Sequence, residues 1–317
     1  MAQFMNFEST ISKTGNGFIQ VPIFEQQILD LVGKRGMLLQ RIPAKKATGN
    51  PTRYFEKQPS TKSAAFQDPH ALAANKFNAK RVEKAAFIKA ITNEIEFSHF
   101  DREVGQQQGI WTGSTVEDVQ DMVKDLLTLQ DAKVWNGNDT SLSESTTNEY
   151  VGLLTQITQT GVIAESTKIC DAIRTEVARL SARTDYDVKP SIIVVNPLTY
   201  DLIEQEEQDR PTNVKQYTVD MTAGTKVRGV MTAMGVLPII PDPYLPLADA
   251  GSGKKAHKVA ILSENLLTRY YVGSDKPRIF GFGMGDETLN EKYMALQYDC
   301  IVAKGAEYAH TILTKTV

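Results

Sequence analysis

The sequence predicts an α+β fold, on three observations. One long amphipathic helix, with no interior Gly or Pro, is expected over 115–136. The apolar run in "PSIIVVNP" (190–197) stands between prolines, as a buried strand does. The stretch "EKYMALQYDCIVAKGAEYAHTILT" (291–314) alternates at period two over a length that only extended chain sustains. At 317 residues the chain is long enough for one large domain or two modest ones, with a real hydrophobic core.

Taken from the N-terminus, residues 1–20 are polar and glycine-containing ("ISKTGNGF") and read as an arm. In 21–42, Ile23, Ile28, Leu29, Leu31 and Val32 predict a short amphipathic helix, broken by Gly33 and Gly36. Residues 43–80 carry Gly-Asn-Pro, Gln-Pro-Ser and Asp-Pro with little apolar content, so a long loop without regular structure is expected. Lys34, Arg35, Arg41, Lys45, Lys46, Arg53, Lys57 and Lys62 face Glu56 alone in sequence. This basic patch suits a phosphate contact, an acidic neighbouring surface or a solvated loop. Residues 81–100 are expected as one long strand. Val82, Ala86 and Ile88 oppose Ala85, Phe87 and Ile91, so both of its faces are covered for part of its length.

The long helix begins at "GSTVEDV". Ser114 with Glu117 fits a capping box, and Thr115 with Asp118 is a second option. Val116, Val119, Met122, Val123, Leu126, Leu127 and Trp135 trace its stripe, with Leu129, Ala132 and Trp135 on one face in the last turns. Asn136-Gly137 suits a left-handed helix end. The helix would span roughly 30 Å. A polar loop follows at 138–149. A second helix is expected near 167–183, with Ile169, Ile173, Val177 and Leu180 inward. "PLTYDLIEQEEQD" is a helix opened by proline. Residues 235–246 are extended, and "HKVAILSE" and "LLTRYYVG" are strands. In the C-terminal stretch Met294, Leu296, Tyr298, Cys300 and Val302 share a face, and the chain bends near Gly305. No internal repeat is present.

Composition excludes several classes. Hydrophobic residues are 41% and charged residues 23%, an ordinary globular balance. The net charge of -3 gives no reason to expect tight nucleic-acid binding. No apolar run approaches the ~18 residues of a membrane span, and the N-terminus has neither the basic start nor the apolar stretch of a signal peptide. Cys170 and Cys300 read as buried small residues in a reducing compartment, without a disulfide framework. His70, His99, His257 and His310 are scattered and form no zinc-type pair. "ADAGSGKKAH" (248–257) departs from the phosphate-loop pattern at Ala248 and Lys255 and reads as a flexible surface loop. Gly281, Gly283 and Gly285 lack dinucleotide-fingerprint spacing and suit a bend or a close backbone approach. The acidic run 204–209 reads as a solvated helix face rather than a cation site. No catalytic, cofactor-binding or metal-binding residue is assigned, and no cofactor is expected.

The order of these pieces resembles the major capsid protein of tailed bacteriophages. "RVEKAAFIKAITNEIEFSHFDRE" is similar to that family's long strand and the acidic stretch after it. "LQDAKVWNGND" is similar to its helix end, where an acid (Asp131) precedes an apolar pair and then Gly137. "VGLLTQ" at 151–156 resembles its Gly-Leu-Leu step, and "KPSIIVVNPLTYDLI" its strand-to-helix element. "LPIIPDPYLP" resembles the strand that follows, and "ALQYDCIVAKGAEYAHTIL" the closing strands. The likeness runs from about residue 20 onward.

The resemblance implies an HK97-like major capsid fold with N-terminal arm, extended loop, peripheral domain with long spine helix, and axial domain. The expected bounds are 1–35 for the arm, 36–80 for the extended loop and 81–156 for the peripheral domain with its spine helix at 115–136. The axial domain would take 157–275, and 276–317 would be return strands of the peripheral domain. It implies a structural protein, not an enzyme, that self-assembles into pentamers and hexamers of an icosahedral phage head enclosing double-stranded DNA. The implied partners are copies of itself, a separate scaffolding protein, a portal, a decoration protein and non-specifically contacted DNA, with no membrane. The implied location is the virion capsid, assembled in the host cytoplasm. The sequence lacks the long N-terminal segment that serves some members as built-in scaffold, hence the expectation that scaffolding is separate or absent. Some members cross-link a loop lysine. Lys57 and Lys62 lie in the corresponding region, but no partner or catalytic acid is identifiable. An encapsulin-like nanocompartment shell is the nearest alternative, and a soluble α/β enzyme without a recognisable motif is a remote one.

Overall fold

The computed structural model describes residues 35–58, 78–108, 111–208, 217–222, 225–251, 253–284 and 290–317, with isolated positions between 64 and 70. The polar arm and the helix expected at 21–32 lie outside the described residues, as do Lys34 and Lys62.

A five-stranded sheet is built on the long strand β14 (Asn290–Ala303). Strand β4 (Lys89–Ser98) pairs antiparallel along one side of it, Asn290 opposite Ser98 through Asp299 opposite Lys89. On the other side β13 (Arg278–Met284) and β12 (Leu267–Tyr271) pair antiparallel with successive halves of β14, and β1 (Ala44–Lys46) runs parallel to β12. Besides the one-turn helices α1 (Leu38–Arg41) and α4 (Leu153–Gln156), helix α2 (His99–Gln108) follows β4, and helix α3 (Trp111–Asn136) lies back across the sheet. Met122 and Leu126 pack on Ala295, with Val119, Val123, Leu127, Ile91, Ile95 and Tyr293 around them. Each such fully buried large side chain contributes about 1.5–3 kcal/mol.

The second sheet has eight strands. Along its path they are β5 (Thr160–Ile163), β15 (Thr311–Thr316), β11 (Lys254–Leu262), β6 (Ile192–Val195), β9 (Gly235–Pro241), β8 (Thr225–Thr232) and β7 (Tyr217–Thr222). Strand β10 (Ala248–Gly251) pairs with β11 off this path. Helices α5 (Ile169–Ser181) and α6 (Pro197–Gln208) serve one core of this sheet, in which Ile169, Ile173, Val177, Leu180 and Ile203 meet Ile193, Val195, Ile239, Val259 and Ile261. The alternate residues Ile192, Val194, Ala260 and Leu262 enter a different core with Leu38, Val134, Trp135, Leu153 and Ile301. Strand β6 is therefore buried on both faces, which is why its sequence is an unbroken apolar run.

Several expectations are corrected. The loop expected over 43–80 contains β1 and also β2 (Thr52–Gln58), which pairs with β3 (Lys80–Ala86) in a separate two-stranded ladder. Its strand residues alternate buried Thr52, Tyr54 and Glu56 with exposed Arg53, Phe55 and Lys57, a pattern hidden by the polar buried set. The single strand expected over 81–100 is divided. The Phe87 amide donates to the Leu142 carbonyl and the Ile88 amide to Asn50 Oδ1, so the chain leaves one ladder before entering the next. Beyond Ser98 it is helical.

Helix α3 starts at Trp111, which places Ser114 and Thr115 inside it and not at its cap. A capping box is a local preference, and the longer helix overrides it. Leu129 lies about 120° around the helix from Trp135, and it is 47% exposed while Trp135 is buried. In β14 the helix-facing set is Tyr293, Ala295, Gln297 and Asp299, whereas Met294, Leu296 and Tyr298 lie half-buried on the other face. Beyond Gly305 the chain changes sheets, since β14 belongs to the five-stranded sheet and β15 to the eight-stranded one. No helix among the described residues is long and apolar enough to cross a membrane.

Candidate functional site

The last turns of α3 are the most densely fastened part of the molecule. Buried Asp131 accepts hydrogen bonds from Arg35 Nε and the Gly36 amide, both at 2.8 Å. Burial pushes its carboxyl upward, against the pull of the Gly36 amide and the Arg35 guanidinium. One turn on, the indole of Trp135 donates to Asp242 Oδ2 at 3.4 Å, and the same oxygen accepts from the Leu38 amide. The other Asp242 oxygen accepts from the Tyr244 amide. Two carboxylates thus tie the incoming chain at 35–38 to the helix end and to the proline-rich segment after β9.

Asn136-Gly137 does not end the helix in the left-handed region, since Gly137 is not among the glycines with positive φ. Its requirement is space: a Cβ there would sit 2.2 Å from the Tyr150 carbonyl oxygen. At Gly152 a Cβ would sit 2.5 Å from the Trp135 oxygen. The two glycines let the segment 150–152 cross the helix end in backbone contact.

Next to it, the polar loop 138–149 is built on a buried ion pair. Lys89 Nζ lies 2.6 Å from Asp139 Oδ2 and 2.6 Å from Ser145 Oγ, and it also donates to the Thr147 carbonyl. Burial alone would raise the Asp139 carboxyl. The bonds from Lys89, Thr146 and the Thr140 amide outweigh it and hold the group well below the usual carboxylate range. Lys133 pairs with Glu149 at 2.8 Å across the same loop.

The third anchor is Asp299, fully buried in β14 beneath α3. Tyr150 and Gln130 donate to it, Gln297 Nε2 lies 3.4 Å away, and Arg269 Nε lies 3.9 Å away. Burial pushes its carboxyl up to about 6, against these four neighbours. Lys89, Asp139, Asp242, Gln297 and Asp299 were not singled out from sequence. The one available signal was the polar pair Gln297 and Asp299 inside an otherwise apolar alternation.

The residues weighed for chemistry fall elsewhere. The acidic run is not a solvated face. Glu204 and Glu207 flank Arg228, while Glu206 pairs with Lys315 at 2.5 Å and accepts the Ile169 amide at 2.7 Å, closing the first turn of α5. Asp209 lies outside the described residues. The glycine-rich stretch at 248–257 is no flexible loop but the β10–β11 hairpin, turning on Gly251 (φ +80°) and Gly253 (φ +78°). The stretch from Ile279 is strand β13, and Gly281 lets Tyr293 approach to 3.3 Å of where a Cβ would stand. Gly285 lies outside the described residues.

His310 accepts from the Ser263 amide through Nδ1 and donates from Nε2 to the Lys304 carbonyl, and burial depresses its pKa to about 4. His257 faces Thr199 at 3.0 Å. His99 lies 3.8 Å from Glu103, and the His70 amide donates to Asp68. Cys170 and Cys300 are buried, and burial raises both thiols to about 12. Among the described residues no group of three or more His, Cys, Asp or Glu side chains is placed to hold a metal.

The anchors therefore hold the chain at 35–38, the loop 138–149 and the end of α3 together. The β2–β3 hairpin pairs with neither larger sheet, and its inner face, Tyr54 and Ala86, packs on Tyr270, Cys300 and Val302 of the five-stranded one. It exposes Phe55 (68%) and the exposed pair Arg53–Glu83. The five-stranded sheet in turn exposes Ile279, Phe280 and Phe282 on β13 and carries Glu94 and Glu96 on β4.

No protein-family model matches the chain, and no curated protein sequence matches it. Its fold matches solved shell subunits over almost its whole length. The capsid of a native GTA particle superposes at a TM-score of 0.64 with 12% identity, over 95% of this chain and 97% of that one. The head structure of Helicobacter pylori bacteriophage KHP40 gives 0.62 and 12%, over 96% of each chain. The holo-SrpI encapsulin of Synechococcus elongatus PCC 7942 gives 0.58 and 12%, over 93% of this chain and 91% of that one. The chain thus has the HK97-like fold of viral and encapsulin shells. These structural neighbours are shell proteins, not enzymes.

Proposed function

We propose that the chain is the major capsid protein of a tailed bacteriophage, forming pentamers and hexamers of an icosahedral head around double-stranded DNA. The observation that carries this reading is the end-to-end match to shell subunits. A closed shell needs heterologous contacts that close by symmetry. Projecting segments supply that contact area, and many modest contacts per subunit reinforce one another.

In this reading the peripheral domain is the five-stranded sheet with α3 as its spine, and the axial domain is the eight-stranded sheet with α5 and α6. The domain edges expected from sequence move accordingly: 267–271 joins the peripheral part and 311–316 the axial part. The hairpin is the base of the extended loop. It meets a neighbouring copy, with Phe55 against the apolar side chains of β13. A scaffolding protein, a portal and a decoration protein complete the partners, and DNA is contacted without sequence preference. The location is the virion, after assembly in the host cytoplasm.

The encapsulin neighbour favours a second reading, a compartment that encloses protein in place of DNA. Purified particles decide between the two: extracted double-stranded DNA supports the phage head, and extracted cargo protein supports the compartment.

A further inference from the structure

The hairpin root touches the one turn that carries the C-terminal chain between the sheets. That turn spans Lys304 to His310, between β14 and β15. The Gly305 amide donates to Glu56 Oε1 at 3.2 Å, in a buried bond, and Glu56 Oε2 is held by Lys84 of β3 at 2.8 Å. Beside it, Lys304 Nζ lies 5.6 Å from the Tyr54 ring centroid and 5.5 Å from that of Tyr270, over two rings stacked at 6.4 Å. The turn is stiff on its other side. Gly305 has φ +67°, and a Cβ there would meet the Tyr308 ring at 2.8 Å. Tyr308 stacks on Tyr186, and His310 is bonded to the Ser263 amide.

Strand β2 has no ladder partner among the described residues except β3, so the hairpin's direction is set by side chains at its root. We propose that Glu56 and Tyr54 latch the hairpin to the 304–310 turn, so that the hairpin's direction and the path between the two sheets move together. A partner that grips the hairpin then biases the arrangement of the sheets, and the reverse holds by reciprocity. The intramolecular coupling stands on this geometry alone; its use between subunits rests on the shell reading.

Hydrogen exchange on the full chain tests the coupling from both ends, whatever its assembly state. Glu56→Ala removes the acceptor for the Gly305 amide, and exchange across 304–310 should quicken about tenfold together with that of 52–58. Glu56→Gln keeps an acceptor, and the turn should stay within about twofold of wild type. Gly305→Ala strains the turn and should quicken exchange in 52–58 and 80–86. If Glu56→Ala fails to fold, Glu56→Gln and Gly305→Ala carry the test. Quickening confined to the hairpin in Glu56→Ala, or a hairpin unmoved by Gly305→Ala, would overturn the latch.

Discussion

At the scale of single residues, the buried carboxylates give the sharpest expectations. Asp299 and His310 titrate against each other. The Asp299 carboxyl is raised by burial to about 6, so its ionisation opposes folding and its contribution improves as pH falls through that value. Burial depresses His310 to about 4, so its contribution worsens as pH falls from its unfolded value near 6.5. Between about pH 6.5 and 4 the two slopes offset each other. In Asp299→Asn the compensating slope is removed, and urea midpoints should decline more steeply than those of the unchanged chain as pH drops across that window. In His310→Asn they should decline less steeply than those of the unchanged chain, or climb. Equal, flat profiles in both variants would contradict the assignment. Gly137→Ala is a steric test: with a Cβ 2.2 Å from the Tyr150 oxygen, the loss should exceed about 3 kcal/mol by thermal or denaturant unfolding.

At the scale of elements, the loop 138–149 depends on one pair. Lys89→Met strands Asp139 in a buried site and should cost about 3–5 kcal/mol, while Lys89→Met with Asp139→Leu should recover much of that loss. Two denaturant titrations decide the point. Phe55→Ser in the hairpin should behave oppositely: the melting temperature stays within a few degrees, and the ability to form large particles is lost. Retention of particles in Phe55→Ser would remove this side chain from the proposed contact.

The elements that sequence disclosed are those whose period is uninterrupted. Helix α5 buries Ile169, Ile173, Val177 and Leu180, as the i, i+4, i+8, i+11 spacing predicts, and β6 buries its whole apolar run. The hairpin is hidden because its inward residues include the polar Thr52 and Glu56, and the Glu56 carboxylate is satisfied by Lys84 and the distant Gly305 amide. In β14 the face expected from sequence is buried at Cys300 and Val302, while the opposite face, which buries Ala295, Gln297 and Asp299, was hidden by its two polar members. The anchors around α3 join residues 95 to 204 positions apart, which no local pattern can announce. Asp131 stands out in sequence only through the resemblance, and its partner Arg35 belongs to a basic patch that the structure partly neutralises.

At the scale of the whole molecule, two sheets share a continuous core through β6 and the end of α3, and the β2–β3 hairpin, a ladder of its own, packs Tyr54 and Ala86 on Tyr270, Cys300 and Val302 of the five-stranded sheet while leaving Phe55 exposed. Phe55 on the hairpin and Ile279 and Phe282 on β13 remain exposed apolar side chains, and in the shell reading copies of the chain cover them. Light scattering of the purified chain across salt and concentration, with negative-stain microscopy of the same samples, tests this most directly. The account predicts rings or closed shells of very large mass. A sharp species of one or two chains under every condition would contradict it.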